Sequence, residues 1–444
     1  MNPGAVVPTE AAGKAPAALP AAGKKAAEPG LLDRVLEATR EAGPSPAGTA
    51  LEQFLKEPSP WEALGSWLQQ SNYRGRPEKD QVARWLNHDI ARLDAVLSRQ
   101  VNAILHHPQF QKLEASWRGL RFLVDQVPEG ENIKIRVLNV TWKELTRDLE
   151  RAIEFDQSQM FHKVYSDEFG MPGGEPFSVL LGDYEIYPRP GPDHPTDDLS
   201  TLGKIAGVAA ASFAPFLAGI HPSFLDLESF AELERPLDLS RTLEQVQYVK
   251  WKALRGTDDA RFVGLVMPRV LMRLPYEDSA SRVDRFRFRE EVAGPDRKGY
   301  LWGNAVYSFG SILVHSFSEC SWLADIRGVP QDERSGGLVS GLPVQSFRTD
   351  SLGVAVKSST DARITDRQEK ELADLGLIPL SYCPDTEISA FFSNQSIQQA
   401  RKYDDPVATA NARLSVMLQY MLCVARFTHY LKVMARDKVG SFTD

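Results

Sequence analysis

The sequence predicts an α+β (mixed α/β) fold with a helical N-terminal portion and a long C-terminal helix. Three observations carry this expectation. From residue 78, Val82, Trp85, Leu86, Ile90, Leu93 and Leu97 recur at helical spacing, and the pattern runs on to His106-His107-Pro108. Beyond residue 130, short alternating or wholly apolar runs interleave with helical patterns, which predicts strands mixed with helices. Last, Asp404-Asp405-Pro406 opens the longest pattern, with Asp at the cap and Pro at the first helical position.

Taken in order, residues 1–30 are an Ala/Pro/Gly-rich tail of low complexity, expected to be disordered. Residues 31–40, LLDRVLEATR, form a short amphipathic helix with Leu31, Leu32, Val35 and Leu36 on one face. Alone it is marginal. Four buried aliphatic side chains return about 6–12 kcal/mol. Ordering ten residues costs about 10–20 kcal/mol. The helix therefore needs a surface, either a partner's groove or its own domain. A Pro-punctuated linker over 41–77 follows, and then a helical segment over 78–127 in which Pro108 restarts the helix. The second of its helices carries Leu113, Trp117, Leu120 and Leu123.

Residues 128–444 read as a mixed α/β core. NIKIRVLNV, residues 132–140, alternates Ile133, Ile135 and Val137 with polar neighbours and predicts a strand. A helix is expected over 141–152, a strand over 177–187, and a buried Ala/Gly-rich helix over 203–220. Then come a buried strand within 260–274 ended by Pro268 and an aromatic-rich helix over 301–318. Strands near 352–357 and 376–382 flank a polar helix at 366–374, an order compatible with parallel pairing of the two strands. The final helix spans 406–438, with Leu414, Met417, Leu418, Met421 and Leu422 on its core stripe. Arg436 and Lys438 suit its negative end, and Gly440 stops it.

Composition narrows the function. At 444 residues the chain holds two or three domains by length alone. A net charge of -8 argues against a nucleic-acid binder. Arg282, Arg285, Arg287 and Arg289 interleave with Phe286 and Phe288, but Asp284, Glu290 and Glu291 sit among them, so a half-buried strand with a solvated face is expected. Cys320, Cys383 and Cys423 are too scattered for a metal cluster or disulfide framework and read as buried thiols in a reducing compartment. The N-terminus has no apolar signal region, and 203–220 holds Lys204 and Pro215. No membrane insertion and a cytoplasmic location are expected.

Catalytic signatures are missing from the sequence. GMPGG at 170–174 lacks the Lys-Ser/Thr of a phosphate loop and reads as a turn. His106 and His107 point about 100° apart on a helix, so the pair suits a helix end better than a metal. Asp258-Asp259 reads as a surface turn before a strand. No cofactor, metal or catalytic residue is assigned. The competing readings are a cytosolic enzyme with a dispersed site around Asp258, Asp259 and His315, or a non-polymerising adaptor for an unfoldase.

Several stretches together resemble one family. They are LLDRVLEATR, HHPQFQKLEASWRGLRFLVDQ (106–126), NIKIRVLNVTWKEL (132–145), YSDEFGMPGGEPFSVLLGDYE (165–185), DDARFVGLVMPRVLMRLPY (258–276), YLWGNAVYSFG (300–310) and ITDRQEKELADLGLIPL (364–380). The sequence resembles the large subunit of the type VI secretion contractile sheath, TssC or VipB. The resemblance implies a phage-tail-sheath-like subunit and a structural role. It implies pairing with a small subunit, TssB or VipA, and stacking with copies of itself around an inner tube of Hcp above a baseplate. It further implies recycling by the AAA+ ATPase ClpV, which would recognise Leu31, Leu32, Val35, Leu36, Thr39 and Arg40. Family members continue beyond the segment matching ARDKVGSF. On that resemblance, a chain ending at Asp444 is expected not to build long sheaths with the small subunit unless the C-terminal tail is supplied.

Overall fold

The computed structural model describes residues 30–39, 54–70, 78–278, 286–292, 297–329, 336–348, 355–384 and 386–438. The expectations for residues 1–29 of the tail, for Arg40, for Arg282, Asp284 and Arg285, and for Gly440 fall outside them. The N-terminal portion is helical: α1 (Leu31–Thr39), α2 (Pro60–Gln70), α3 (Lys79–Leu105) and α4 (Pro108–Asp125). α2 has no counterpart in the sequence reading. His106 closes α3, and Pro108 takes the first position of α4, where its missing N–H costs nothing. α5 (Trp142–Arg151) opens on a capping box in which Thr141 and Glu144 answer each other's main-chain N–H groups.

The core is a six-stranded sheet in the order β1-β2-β3-β9-β10-β6. Its strands are β1 (Leu180–Ile186), β2 (Phe216–Ile220), β3 (Val263–Met267), β6 (Leu338–Val339), β9 (Ile378–Tyr382) and β10 (Ser389–Phe391). β1, β2, β3 and β9 run parallel; β10 is antiparallel to β9, and β6 to β10. Both faces are covered. Phe216, Ala218, Ile220 and Leu265 join one apolar cluster with α5 and α6 (Asp198–Ser212). Leu217, Val266 and Leu380 join the other, with α4 and α7 (Val306–Cys320). Burial on both faces explains why these strands read as continuous apolar runs without alternation.

Two small ladders flank the sheet: β4 (Val270–Leu271) with β5 (Trp302–Gly303), and β7 (Gln345–Arg348) with β8 (Ala355–Ser358). α8 (Asp366–Asp374) precedes β9, and α9 (Pro406–Ser415) and α10 (Leu418–Lys438) end the described chain.

The structure corrects the sequence expectations in several places. Residues 203–220 are not one helix. α6 stops at Ser212, Phe213 takes the left-handed region (φ 51), and Phe216–Ile220 is β2. The strands near 352 and 376 do not pair with each other, because β8 joins β7 antiparallel and β9 joins β3. The final helix is broken at Val416–Met417. There the 394–396 segment takes over its main-chain groups: Leu418 N–H donates to Asn394 O (2.9 Å) and Ser396 N–H to Val416 O (3.0 Å). Residues 132–140 are extended but have no ladder neighbour among the described residues. Cys320 is exposed, and Cys383 and Cys423 are only half-buried; all three are free thiols.

Candidate functional site

α1 packs against α3 and α4. Val35 is its one fully buried residue, and Leu31 is half-buried. Leu32 and Leu36 remain exposed, at 55% and 41%. Gly30 N–H donates to Asp33 Oδ2 (3.1 Å) at the start of the helix. Near its end the Thr39 hydroxyl donates to Val35 O (2.7 Å) and accepts from Gln100 Nε2 on α3 (3.0 Å). Of the positions expected to meet a partner, Val35 and Thr39 hold the helix to its own domain, while Leu32 and Leu36 face outward.

Where α3 turns into α4, a charged cluster ties the helical portion to the core. Arg273 is nearly buried and holds Glu290 through both nitrogens, Nη1–Oε2 at 2.5 Å and Nη2–Oε1 at 3.1 Å. Its Nε donates to Glu114 Oε1 on α4 (2.8 Å), and its guanidinium lies 4.5 Å from the centre of the Tyr276 ring. His106 Nε2 contacts Glu290 Oε1 at 3.2 Å, so the histidine is a helix-end partner, as expected. Burial pushes the Glu290 carboxyl up, but the Arg273 bonds and the Tyr276 N–H outweigh it and leave it below its ordinary value. Residues 286–292 alternate in burial, with Phe288 and Glu290 buried and Arg287 and Arg289 exposed, but they form no strand among the described residues, against the half-buried strand expected.

At the carboxyl ends of β1 and β2, Tyr187 stacks between His194 (4.1 Å) and His221 (4.2 Å). Asp198 receives the Tyr187 N–H (2.9 Å) and Trp142 Nε1 (2.6 Å). Glu185 makes a two-pronged pair with Arg269 (2.5 and 2.7 Å). Each carboxylate is matched by donors inside the fold, so this polar layer joins elements together. Asp361 is the exception in kind. Burial raises it to about 6, against the opposing pull of Arg269 and Arg297.

The residues named for a dispersed active site do not converge on one cleft. Asp258 caps a turn and pairs with Arg261 (3.2 Å) on a groove with Arg401 and Tyr403; His315 is not among the residues lining that groove. His315 lies half-buried on α7, its pKa lowered by burial. The GMPGG segment is a turn, and Arg436 from α10 donates to its Met171 and Gly174 carbonyls. An open groove of about 640 Å³ is lined by Tyr403, Arg413, Leu414 and Met417 among others. No helix among the described residues is long and apolar enough to cross a membrane.

What the molecule presents instead is apolar surface. Along α3, Ile90, Leu93, Val96 and Leu97 are exposed, Leu93 at 60%. Trp117 on α4 is 66% exposed, and Phe427, Leu431 and Met434 line the outer side of α10. Sequence periodicity marked the α3 stripe correctly as one face, but nothing among the described residues buries it. Patches of this kind mark interaction surfaces.

The chain thus has a two-sided α/β core, exposed apolar helical flanks and charge clusters that brace its elements. The chain belongs to the VipB family of contractile tail sheath proteins, as a large sheath subunit of a type VI secretion system. Residues 87–398 match the tail sheath N-terminal domain of the EvpB/VC_A0108 family, and residues 407–444 match its gpW/gp25-like domain. The second match begins where α9 does. The chain is 43% identical over 357 residues to the type VI secretion system sheath protein TssC1 of Pseudomonas aeruginosa, covering 80% of this chain and 70% of that protein.

Proposed function

We propose that this chain polymerises with a small sheath subunit of the TssB/VipA kind around an inner tube of Hcp. The tube would stand on a baseplate in the cytoplasm, and contraction would drive the inner tube outward. In this reading the core 128–444 and the helical segment 78–127 build the lattice, while the tail 1–30, helix 31–40 and tether 41–77 serve disassembly. The observation that carries it is the apolar surface along α3, α4 and α10, which a partner chain would bury. Coexpression with the small subunit, followed by negative-stain imaging, tests it. Rings or short assemblies of the two chains are expected; a monodisperse monomer that ignores the small subunit overturns it.

Recycling by the AAA+ ATPase ClpV is the second half of the proposal. Once α1 leaves its seat on α3 and α4, Leu31, Leu32, Val35 and Leu36 would enter a groove on the ATPase, Thr39 would follow at the end of the helix, and Arg40 would meet acidic groups. Because Leu32 and Leu36 are exposed on α1, replacing both by Asp should leave folding almost unchanged. Losing two buried leucines from the complex costs about 3–6 kcal/mol, a drop of about 100-fold or more in affinity for the ATPase's N-terminal domain. Unchanged binding by the double variant would remove α1 from the mechanism.

A further inference from the structure

We propose that Cys320 and Cys423 are a redox pair, which a hydroperoxide converts to an intrachain disulfide that clamps α10 to the end of α7.

Contacts on either side bring the two thiols to one seam. Cys320 is the last residue of α7, and Cys423 lies on the second turn of α10. The chain around and beyond Cys320 runs along α10. Gln419 Nε2 donates to Ala324 O. The Arg426 guanidinium lies 4.6 Å from the centre of the Phe317 ring and 5.7 Å from that of Trp322. Trp322 in turn meets Phe427 (4.8 Å) and Tyr430 (6.4 Å). At about 100° per residue, positions 419, 423, 426 and 430 share one stripe of α10, and 317 and 320 lie about 60° apart on α7. Cys423 is thus flanked on its stripe by two residues that touch 317–324, and Cys320 sits in the middle of that stretch. Burial raises the Cys423 thiol above its ordinary value, and the charge of Cys320 adds to the rise. Among the described residues no set of three His, Cys, Asp or Glu could hold a metal, so the pair answers an oxidant and not a cation.

Unlike settings assign the order of events. Cys320 is exposed and Cys423 half-buried, and exposure decides which thiol meets the oxidant first. The Cys320 thiolate attacks the peroxide. An S–O bond forms, the O–O bond breaks, and the displaced oxygen takes a proton and leaves as water or an alcohol. Sulfur loses two electrons to become a sulfenic acid, and the peroxide is reduced. The Cys423 thiolate then attacks that sulfur. The S–S bond forms, the S–O bond breaks, and the departing hydroxide takes the proton that Cys423 gave up. Two thiols and one hydroperoxide thus give one disulfide, one water and one further water or alcohol. Ser321 takes the left-handed region (φ 59) and ends α7 directly after Cys320, so Cys320 can shift without unwinding helix on both sides. Dithiol reductants of a reducing compartment reverse the bond.

Reduced full chain, treated with hydrogen peroxide, alkylated and digested for mass spectrometry, tests this. Reactive thiols should fall from three to one, with a cross-linked peptide joining 320 to 423 and Cys383 left free. Dithiothreitol should restore all three. In Cys423→Ser the sulfenic acid has no partner, so labelling of Cys320 by dimedone should rise about tenfold or more over the parent. Hydrogen exchange reads the clamp: amides of 419–426 should slow about tenfold or more in the oxidised chain. Peroxide that leaves Cys423 reduced, carries Cys320 on to sulfinic acid or links two chains through it overturns the pair. A disulfide between 320 and 423 that leaves exchange over 419–426 unchanged overturns the clamp.

Discussion

Replacing Arg273 by Met should cost about 3–5 kcal/mol of stability at neutral pH, the range for breaking a buried ion pair by removing one partner. The magnitude follows from what is left behind. Glu290 has a side chain only 1% exposed, and Arg273 supplies two of its bonds. Glu114, at 13%, loses its Arg273 bond and keeps Arg118 (2.8 Å), a partner itself 38% exposed. Met fills most of the volume, so the loss is electrostatic more than steric. The pH dependence separates the two. In the parent, the bonds hold the Glu290 carboxyl below its ordinary value, so their stability is present above the unfolded pKa and is lost as pH falls through the folded one. In the variant, burial is left with less opposition and raises the carboxyl, so Glu290 takes a proton on mild acidification and the deficit shrinks. Urea unfolding followed by far-UV circular dichroism at pH 7.5 and 5 measures both. Adding Glu290→Gln to Arg273→Met should recover part of the loss, since a neutral amide needs no buried cation. A deficit below about 1 kcal/mol, or one identical at both pH values, would refute the reasoning.

Two further outcomes follow from single sites. Asp361, raised to about 6 by burial, favours folding as pH falls from above that value toward the unfolded carboxylate pKa. A shift of about two units corresponds to ~3 kcal/mol. Asp361→Asn should therefore raise the thermal midpoint at pH 8 and match the parent near pH 4; a lower midpoint at pH 8 contradicts the assignment. Gly219 sits in β2 where a Cβ would lie 2.7 Å from Asn304 Oδ1 and 2.8 Å from its Nδ2. That carboxamide donates to Tyr184 O and accepts the Val306 N–H, so Gly219→Ala should cost about 2–4 kcal/mol and lower the midpoint by several degrees. An unshifted midpoint would show that Asn304 can move aside.

Much of the architecture was legible because it is local. Asp405-Pro406 starts α9, Thr141 and Glu144 start α5, and Pro108 divides α3 from α4, all by chemistry within one turn. What the sequence hid was settled by distant partners. The 203–220 run is apolar throughout, so no periodicity reveals that Phe213 turns left-handed and hands the chain from α6 to β2. The break at Val416–Met417 depends on bonds from residues 394–396, some twenty positions upstream. β8 and β9 are neighbours in sequence order but not in the sheet, because β3 and β10 claim both sides of β9. For α1, the apolar face was readable, but its allotment was not. That Val35 turns inward while Leu32 and Leu36 turn out is decided by how α3 and α4 cross beneath it. The same holds for 132–140, where alternation identifies a strand-forming face and yet no ladder forms among the described residues.

The joint between α9 and α10 bears on how a load would travel through such a subunit. Leu418 and Leu422 are sunk into the core, and Val416 and Leu418 are tied by main-chain bonds to the loop leaving β10. A pull on the last helix thus reaches the central sheet within a turn of where it is applied, through anchors that must yield together. In a subunit under load α10 would act as a lever socketed in the sheet, and a displacement at its far end would bear on the core as a torque.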